Sequence, residues 1–425
     1  MTLSPEKIYH EFRDPVHAFI RAHSKERKII DSEPVQRLRS IQQLALTSLV
    51  YPGATHTRFE HSLGVMHVAG QIFDVITDRE NVQSNVAERL PDIRGDIRDE
   101  EKRVKWRRTV RMAGLLHDVG HYPFSHAVEK GLKHEIMSLQ LIRSDPLKEL
   151  LTAMGLDAEQ VGRVALGRDD HDKATQALGE EPADFTPWEK ILAAIITGDF
   201  GADRIDYLLR DSLHAGVAYG RFDHHRLIDC IRVLIPGPNQ GKLLLEPALG
   251  LSHGALQAFE SMVLARHFMF GQVYFHPVRQ AYDYHLQAFI AELWPKGLPT
   301  TPEEHLKVTD IEVLAELRKS GSDSSMRILK RKHYKVLQEF RAGSYVGDAP
   351  QQALEQAKEV YGKTNVHLRL NDTKPVKEFP VQLRDRQVVT SSGLSPMLAT
   401  LPSATVHFLF FNPDAKKKEE GEKSK

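Results

Sequence analysis

Apolar residues recur at helical spacing through most of the first 300 positions, and the breaks between those runs are polar or rich in glycine and proline. From residue 34 to 46 the chain opens with a proline suited to a first helical turn. Val35, Leu38, Ile41, Leu44 and Ala45 then form one stripe. The loop V-Y-P-G-A-T-H-T follows, and a second helix is predicted from near Arg58 through His61, Val65, Val68 and Ala69. A third, at roughly 104–119, carries Val110, Ala113, Leu115 and Leu116 until Gly120 and Pro123 break it, so His121 falls at or just past its end. Residues 137–200 read as helices with polar connectors, with a loop at 168–187. The run I-L-A-A-I-I-T-G-D-F leads through a turn into A-D-R-I-D-Y-L-L-R-D. Helices resume from about 255 to 295.

Other stretches carry different patterns. Residues 8–30 alternate loosely around Pro15, as in a hairpin leading into helices. Residues 80–103 are dense in charge and read as an exposed insertion. K-L-L-L-E (242–246) reads as a strand. After residue 365, H-L-R-L, V-Q-L-R, Q-V-V-T and T-V-H-F-L-F-F are strand-like. The expected fold is mainly α with a small C-terminal α/β region. Residues 1–50 form a hairpin and first helix belonging to the core, 51–300 the core itself, 301–412 the C-terminal helical and α/β region, and 413–425 a charged, disordered tail.

Composition narrows the chemistry. Lysine plus arginine (57) equals aspartate plus glutamate (57), so net charge favours neither a nucleic-acid nor a membrane partner. A single cysteine, Cys230, excludes a disulfide within the chain and a thiolate metal set. No apolar signal core and no run of 18 apolar residues is present, which predicts a cytoplasmic protein without a membrane partner. Many of the 22 histidines fall between His56 and His134.

Four residues on three segments read together as a metal site. These are His61 in R-F-E-H-S, His117 and Asp118 in L-L-H-D-V-G-H, and Asp203 in D-R-I-D-Y. Imidazole and carboxylate ligands suit a divalent hydrolytic metal such as Mn, Mg, Fe, Zn or Ni. Neighbouring helical residues point about 100° apart, so His117 and Asp118 share an ion only if other helices complete the shell. His61 and Asp203 are of the right types, and the H…HD…D order points to a metal-dependent phosphohydrolase. Each residue alone has a plainer reading, as a hydrogen-bonded helical histidine or a capping carboxylate. K-R-V-K-W-R-R (102–108) and R-I-L-K-R-K-H-Y-K (327–335) interleave basic and aromatic residues, a pattern of single-strand binding or simply of solvated faces or nucleotide-phosphate contacts.

These motifs resemble the HD-domain superfamily, and more closely its deoxynucleoside triphosphate triphosphohydrolase branch. The stretches that carry the resemblance are D-P-V-H (14–17), I-I-D-S-E-P-V-Q-R-L-R-S-I-Q-Q-L (29–44), Y-P-G-A-T-H-T-R-F-E-H-S-L-G-V (51–65), L-L-H-D-V-G-H-Y-P-F-S-H (115–126), H-E (134–135) and A-D-R-I-D-Y-L-L-R-D (202–211). The resemblance implies an HD-domain helical fold. It implies hydrolysis of a dNTP by water attack at the α-phosphorus, with His61, His117, Asp118 and Asp203 on the metal. His126, oriented by Glu129, would be the acid/base group, and His121 and His134 would contact phosphates or move protons. Arg58 would grip a phosphate, Gln43 and Leu44 would flank the deoxyribose, Tyr207 would exclude a ribose hydroxyl, and Asp211 would accept from the 3′ hydroxyl. H-F-M-F-G-Q-V-Y-F-H-P-V-R-Q-A-Y-D (267–283) would add Tyr282 and Arg279. Family members also form homo-oligomers, dimers or tetramers, activated by GTP, dGTP or dNTP. Asp31, Gln36 and Arg39 match activator contacts, but the family's N-D-P-(I/V)-H-G reads R-D-P-V-H-A here, with Arg13 and Ala18 as the departures. Other HD-type chemistry is the alternative: a nuclease, phosphodiesterase or phosphatase acting on single-stranded nucleic acid, cyclic nucleotides or nucleoside monophosphates.

Overall fold

The computed structural model describes residues 8–78, 81, 91–128, 133–235 and 246–415, with the side chains of 91–94, 126 and 133 excepted. Strands β1 (Tyr9–Asp14) and β2 (Ala18–His23) form the expected hairpin, and α1 (Ser24–Ile30) follows directly. The hairpin turn is organised by Asp14, whose Oδ1 accepts from the Val16 and His17 amides at 2.9 and 2.8 Å. Ala18 closes that turn at φ 61, in the left-handed region that favours glycine.

The predicted helix over 34–46 is broken in the structure. Helix α2 (Glu33–Arg37) gives way to a 3₁₀ turn, Leu38–Ser40, because the next backbone groups are used elsewhere. The Gln42 amide donates to Asp310, and the Ile41 carbonyl accepts from Arg58. Helix α3 (Arg58–Ile76) begins where predicted and is buried on nearly every face, as an apolar helix at the centre of a core must be. The charged stretch 80–103 is largely exposed where its side chains are described, and it is helical there. It contains α4 (Pro91–Arg98) and the start of α5 (Glu100–Leu116), which Asp99 caps.

Helix α5 packs along α3 and ends at Leu116, three residues before the expected end, so His117 and Asp118 lie on a turn. Gly120 permits that turn. A Cβ there would stand 2.2 Å from the Ser138 amide and 2.4 Å from the His134 carbonyl. Helices α6 (Lys133–Arg143), α7 (Leu147–Ala153), α8 (Ala158–Ala177) and α9 (Pro187–Thr197) surround this pair. The loop expected over 168–187 starts only after Ala177, since α8 continues through a kink at Gly167, φ 72. Helix α10 (Ala202–Ala215) crosses α3 and supplies Asp203.

Beyond α11 (His224–Asp229) come β3 (Ile231–Leu234) and β4 (Ala248–Ser252), then α12 (Leu256–Met269), a π-helical turn (Phe270–Tyr274) and α13 (Pro277–Leu293). The strand expected at 242–246 lies outside the described residues apart from Glu246. Strand β5 (Lys335–Arg341) lies partly within the second basic stretch, where no strand was expected. The expected late strands are present as β6 (Val366–Arg369), β7 (Pro380–Gln382), β8 (Val388–Thr390) and β9 (Val406–Phe411). They make two sheets, ordered β3-β4-β7-β8 and β5-β9-β6. Parallel pairing of Leu251 with Val381 joins the C-terminal region to the core. Among the described residues no helix is long and apolar enough to cross a membrane.

One buried ionic network fastens hairpin to core. Arg210, fully buried on α10, donates from Nη1 to Asp14 at 2.8 Å and from Nε and Nη2 to both oxygens of Asp206, each at 2.8 Å. Removing one partner strands a buried charge. Arg210→Met should therefore cost about 3–5 kcal/mol in equilibrium urea unfolding. A loss below about 1 kcal/mol would mean the network holds nothing together.

Candidate active site

His61 lies one turn into α3, His117 and Asp118 follow the end of α5, and Asp203 sits in the first turn of α10. Three elements remote in sequence thus bring the four predicted ligands together. His61 Nε2 is 3.2 Å from Asp203 Oδ1 and 3.7 Å from Asp118 Oδ2. His117 Nε2 is 3.4 Å from Asp118 Oδ1 and 3.7 Å from Asp203 Oδ1. His61, His117 and Asp118 are buried, while Asp203 has 34% of its side chain open to the cavity.

The donor set fits a divalent ion on structural grounds. The His117 Nδ1–H donates to the Gly114 carbonyl at 2.9 Å, which turns the Nε2 lone pair toward the cluster. That Nε2 is buried and has no hydrogen-bond partner in the protein. His61 is oriented in the same manner, its Nδ1 2.8 Å from Asp206 Oδ2. Such an outer carboxylate fixes the ring and makes the imidazole more basic as a ligand. Burial by itself would depress His61, but Asp203 and Asp206 overcome it and push the imidazole up to about 10. Burial acts to raise the Asp118 and Asp203 carboxyls, yet the adjacent histidines, with Arg58 at Asp118, hold both below the usual carboxylate range. Gly64, one turn after His61, makes room for Asp206. A Cβ there would lie 1.8 Å from its Oδ1.

Arg58 is buried beside the cluster, paired with Asp118 and held at Nε by Ser125 Oγ at 2.5 Å. Ser125 and Phe124 both take positive φ, 52 and 57, and Asp310 secures the Phe124 amide at 2.7 Å. His121 Nε2 stands 3.2 Å from Asp118, and its ring stacks on His134 at 3.9 Å. Asp118, His121 and His134 form a second grouping with metal-ligand spacing. The backbone of His126 lies in the 3₁₀ turn Ser125–Ala127, but its side chain, like all of Glu129, lies outside the described residues.

A cavity of about 540 Å³ opens onto the cluster. Gln43, Leu44, Arg58, Tyr207, Asp211 and Arg279 line it, as the sequence placed them. Tyr282 does not. It is fully buried against His333, because the π-helical turn and Pro277 reset the helical phase. Tyr274 lines the cavity instead and donates to Asp211 Oδ2 at 2.7 Å, while His56 Nε2 engages Asp211 Oδ1 at 2.7 Å. The far wall brings in Asp283 and Arg369, the latter donating to Gln280 at 2.8 Å.

The residues matched to an activator lie elsewhere. Asp31 pairs with Arg27, Gln36 accepts from Arg39, and the Arg39 guanidinium lies 3.6 Å from the Phe59 ring centre. Arg13 covers Phe19, and Arg13 and Arg39 line one separate cavity of about 580 Å³. In the first basic stretch, Lys102, Arg103 and Arg107 pair with Asp96, Glu100 and Asp74.

Sequence reasoning missed Asp206, Arg210, His17 and Tyr274. Asp206 had a signal, a second carboxylate one turn after Asp203, and Tyr274 stood eight residues before the Tyr282 that the resemblance pointed to. Arg369 had none, since only tertiary folding brings β6 to this cavity.

A histidine–aspartate cluster at the meeting of three helices, with its outer carboxylate, defines a metal-binding helical domain, and the chain belongs to the HD-domain family. Residues 58–195 match the family model for the HD domain, and 222–366 match that for the HD associated region. An uncharacterized protein of Methanocaldococcus jannaschii is 36% identical over 327 residues, which is 76% of this chain and 58% of that protein. The deoxynucleoside triphosphate triphosphohydrolase SAMHD1 of Gallus gallus is 36% identical over 248 residues, 53% of this chain and 37% of that one. The chain therefore spans little more than half the length of these curated relatives, or less. The crystal structure of a hypothetical protein from Aquifex aeolicus superposes with a TM-score of 0.75 at 30% identity, covering 95% of this chain and 96% of that one.

If Asp206 supports the ligand His61, Asp206→Asn should weaken manganese binding about 10- to 100-fold in competition with a fluorescent chelator. Without denaturant the circular dichroism should stay helical, although the urea midpoint falls because buried Arg210 loses its charged partner. Undiminished affinity in the folded variant would remove Asp206 from the site.

Proposed function

We propose that the protein is a metal-dependent phosphohydrolase that cleaves deoxynucleoside triphosphates to deoxynucleoside and triphosphate. One observation carries this reading: a single cavity is lined by the His/Asp cluster, by Arg58, and by Tyr207, Asp211 and Tyr274. Such a reaction needs a cation site, a grip on phosphate and an enclosed place for the sugar, and this lining offers all three. The name of the Gallus gallus relative supports the same choice.

A bound divalent ion would acidify a water and neutralise phosphate charge. The rest of the work falls to the chain. Arg58, anchored by Ser125, holds a phosphate beside the cluster. His121 and His134 hold phosphate or pass protons next to Asp118, and His126 with Glu129 protonates the leaving 5′ oxygen. Gln43 and Leu44 flank the deoxyribose, and the Tyr207 ring closes the space a 2′ hydroxyl would need. Asp211 already accepts from His56 and Tyr274, but a carboxylate retains lone pairs for a 3′ hydroxyl. Arg279 contributes from the far wall. Assembly as a dimer or tetramer, with activation by a guanine nucleotide near Asp31, Gln36, Arg39 and Arg13, belongs to the same proposal. The shared cavity of Arg13 and Arg39 supports it.

The test is chromatography of products after incubation with each dNTP and Mn or Mg, with and without GTP. Deoxynucleoside plus triphosphate is expected, and none from His117→Ala/Asp118→Ala. Tyr207→Ala should raise hydrolysis of ribonucleotides relative to deoxyribonucleotides by about tenfold or more. Intact dNTPs under every mixture would overturn the assignment.

A further inference from the structure

A larger cavity, of about 1320 Å³, lies between the β1–β2 hairpin and α5. It absorbs the first basic stretch, which the catalytic reading leaves unused. Arg107, Arg108 and Arg111 enter from α5, and Arg21 faces them from β2. Residues 107 and 111 are one turn apart and 108 lies between them, so the three arginines leave the helix within about 6 Å of its axis. That spread suits several linked anionic groups better than a single one.

Part of this charge is neutralised within the protein, and the remainder is specific. Arg111 is buried and holds Glu26 through Nε and Nη2 at 2.7 and 2.9 Å, with Nη2 also donating to the Arg21 carbonyl. Arg107 holds Asp74 through Nε and Nη2, each at 2.7 Å. Among the described residues both leave Nη1 without a hydrogen-bond partner, and Arg108 has no carboxylate partner at all. Arg21 pairs with Glu11 at the exposed rim. Four arginines face Glu11, Glu26 and Asp74, so Arg108 is the one whose charge is left over. His67 in the wall is pushed down to about 4, chiefly by burial, with smaller contributions from His17 and Arg111. The rim is aromatic: Tyr9 is 61% exposed and meets His23 edge-on, and Phe19 is 47% exposed.

We propose that this cavity is a second, non-catalytic binding site for a polyphosphate-bearing ligand, gripped by Arg107, Arg108 and Arg111. Prepositioned guanidinia with spare edges are the group best matched to phosphate oxygens, and the exposed Tyr9 ring offers a stacking face to a nucleobase. A nucleoside triphosphate and free triphosphate share this chemistry. The site is not the cavity shared by Arg13 and Arg39, with which it has only Glu11 in common. One of its walls, His17, donates to Asp206, the carboxylate that holds His61.

The test is isothermal titration of the whole chain with inorganic tripolyphosphate, with a guanosine triphosphate analogue whose 5′ oxygen is replaced by a methylene so that the bond the proposed reaction breaks is absent, and with guanosine. Neither phosphate probe is consumed, so the result does not depend on the hydrolytic reading. Arg108→Glu should weaken binding of at least one phosphate probe tenfold or more, Arg108→Lys should retain most of it, and Arg58→Ala, in the other cavity, should leave this binding in place. Weakening of the nucleotide alone would identify a nucleotide site, and equal weakening of tripolyphosphate would show that the phosphates suffice. Binding that Arg108→Glu leaves unchanged while its melting curve matches wild type, or binding abolished only by Arg58→Ala, overturns the proposal. So does guanosine binding as tightly as the phosphate probes.

Discussion

Asp206 is the carboxylate on which the rest of this structure depends. It is fully buried and engages three cationic or polar partners at once: His61 of α3, His17 of the hairpin and Arg210 of its own helix. Burial alone would force such a group to take up a proton, but Arg210, His17 and His61 hold it well below the usual carboxylate range. A buried charge of this kind is tolerated only when every partner is in place. The hairpin, α3 and α10 are therefore locked in one arrangement, and that arrangement sets His61 against Asp203. Gly64 is the backbone counterpart, since no other residue leaves room for Asp206 one turn from His61.

The cavity beside the cluster is built from distant parts of the chain. Its catalytic wall comes from the turn after α5 and from α10, and its far wall from α13 and β6. Two irregularities aim side chains into it. The left-handed pair Phe124–Ser125, fastened by Asp310, presents Ser125 to Arg58. The π-helical turn before Pro277 carries Tyr274 onto Asp211. Strained or rare backbone of this sort is stored where surrounding structure over-determines it, and often at functional sites.

Much of this was legible in the sequence because the ligands sit in short motifs at helix ends, where spacing and chemistry coincide. Helix α3 was read to its first residue, since Thr57 and the polar loop before it mark a boundary that local chemistry imposes. The late strands were visible through their β-branched and aromatic runs. What was missed depends on tertiary contacts. The segment 34–46 has a helical stripe, yet Asp310, more than 260 residues away, takes the amide that would continue it. Residues 168–177 look like loop from their charge but remain helical beyond Gly167. The resemblance of 267–283 pointed to Tyr282, and nothing in the sequence marks the π-helical turn that brings Tyr274 to the cavity instead. Arg369 reaches the cavity only through pairing of β6 with β9.

The most direct test of the account is a crystal structure with manganese and a deoxynucleoside triphosphate made inert by replacing its 5′ oxygen with a methylene, with the ion located by anomalous scattering. The account predicts an ion bound by His61, His117, Asp118 and Asp203, with phosphate on Arg58 and the sugar against Tyr207. Manganese bound away from these four residues, or a nucleotide seated outside their cavity, would contradict it.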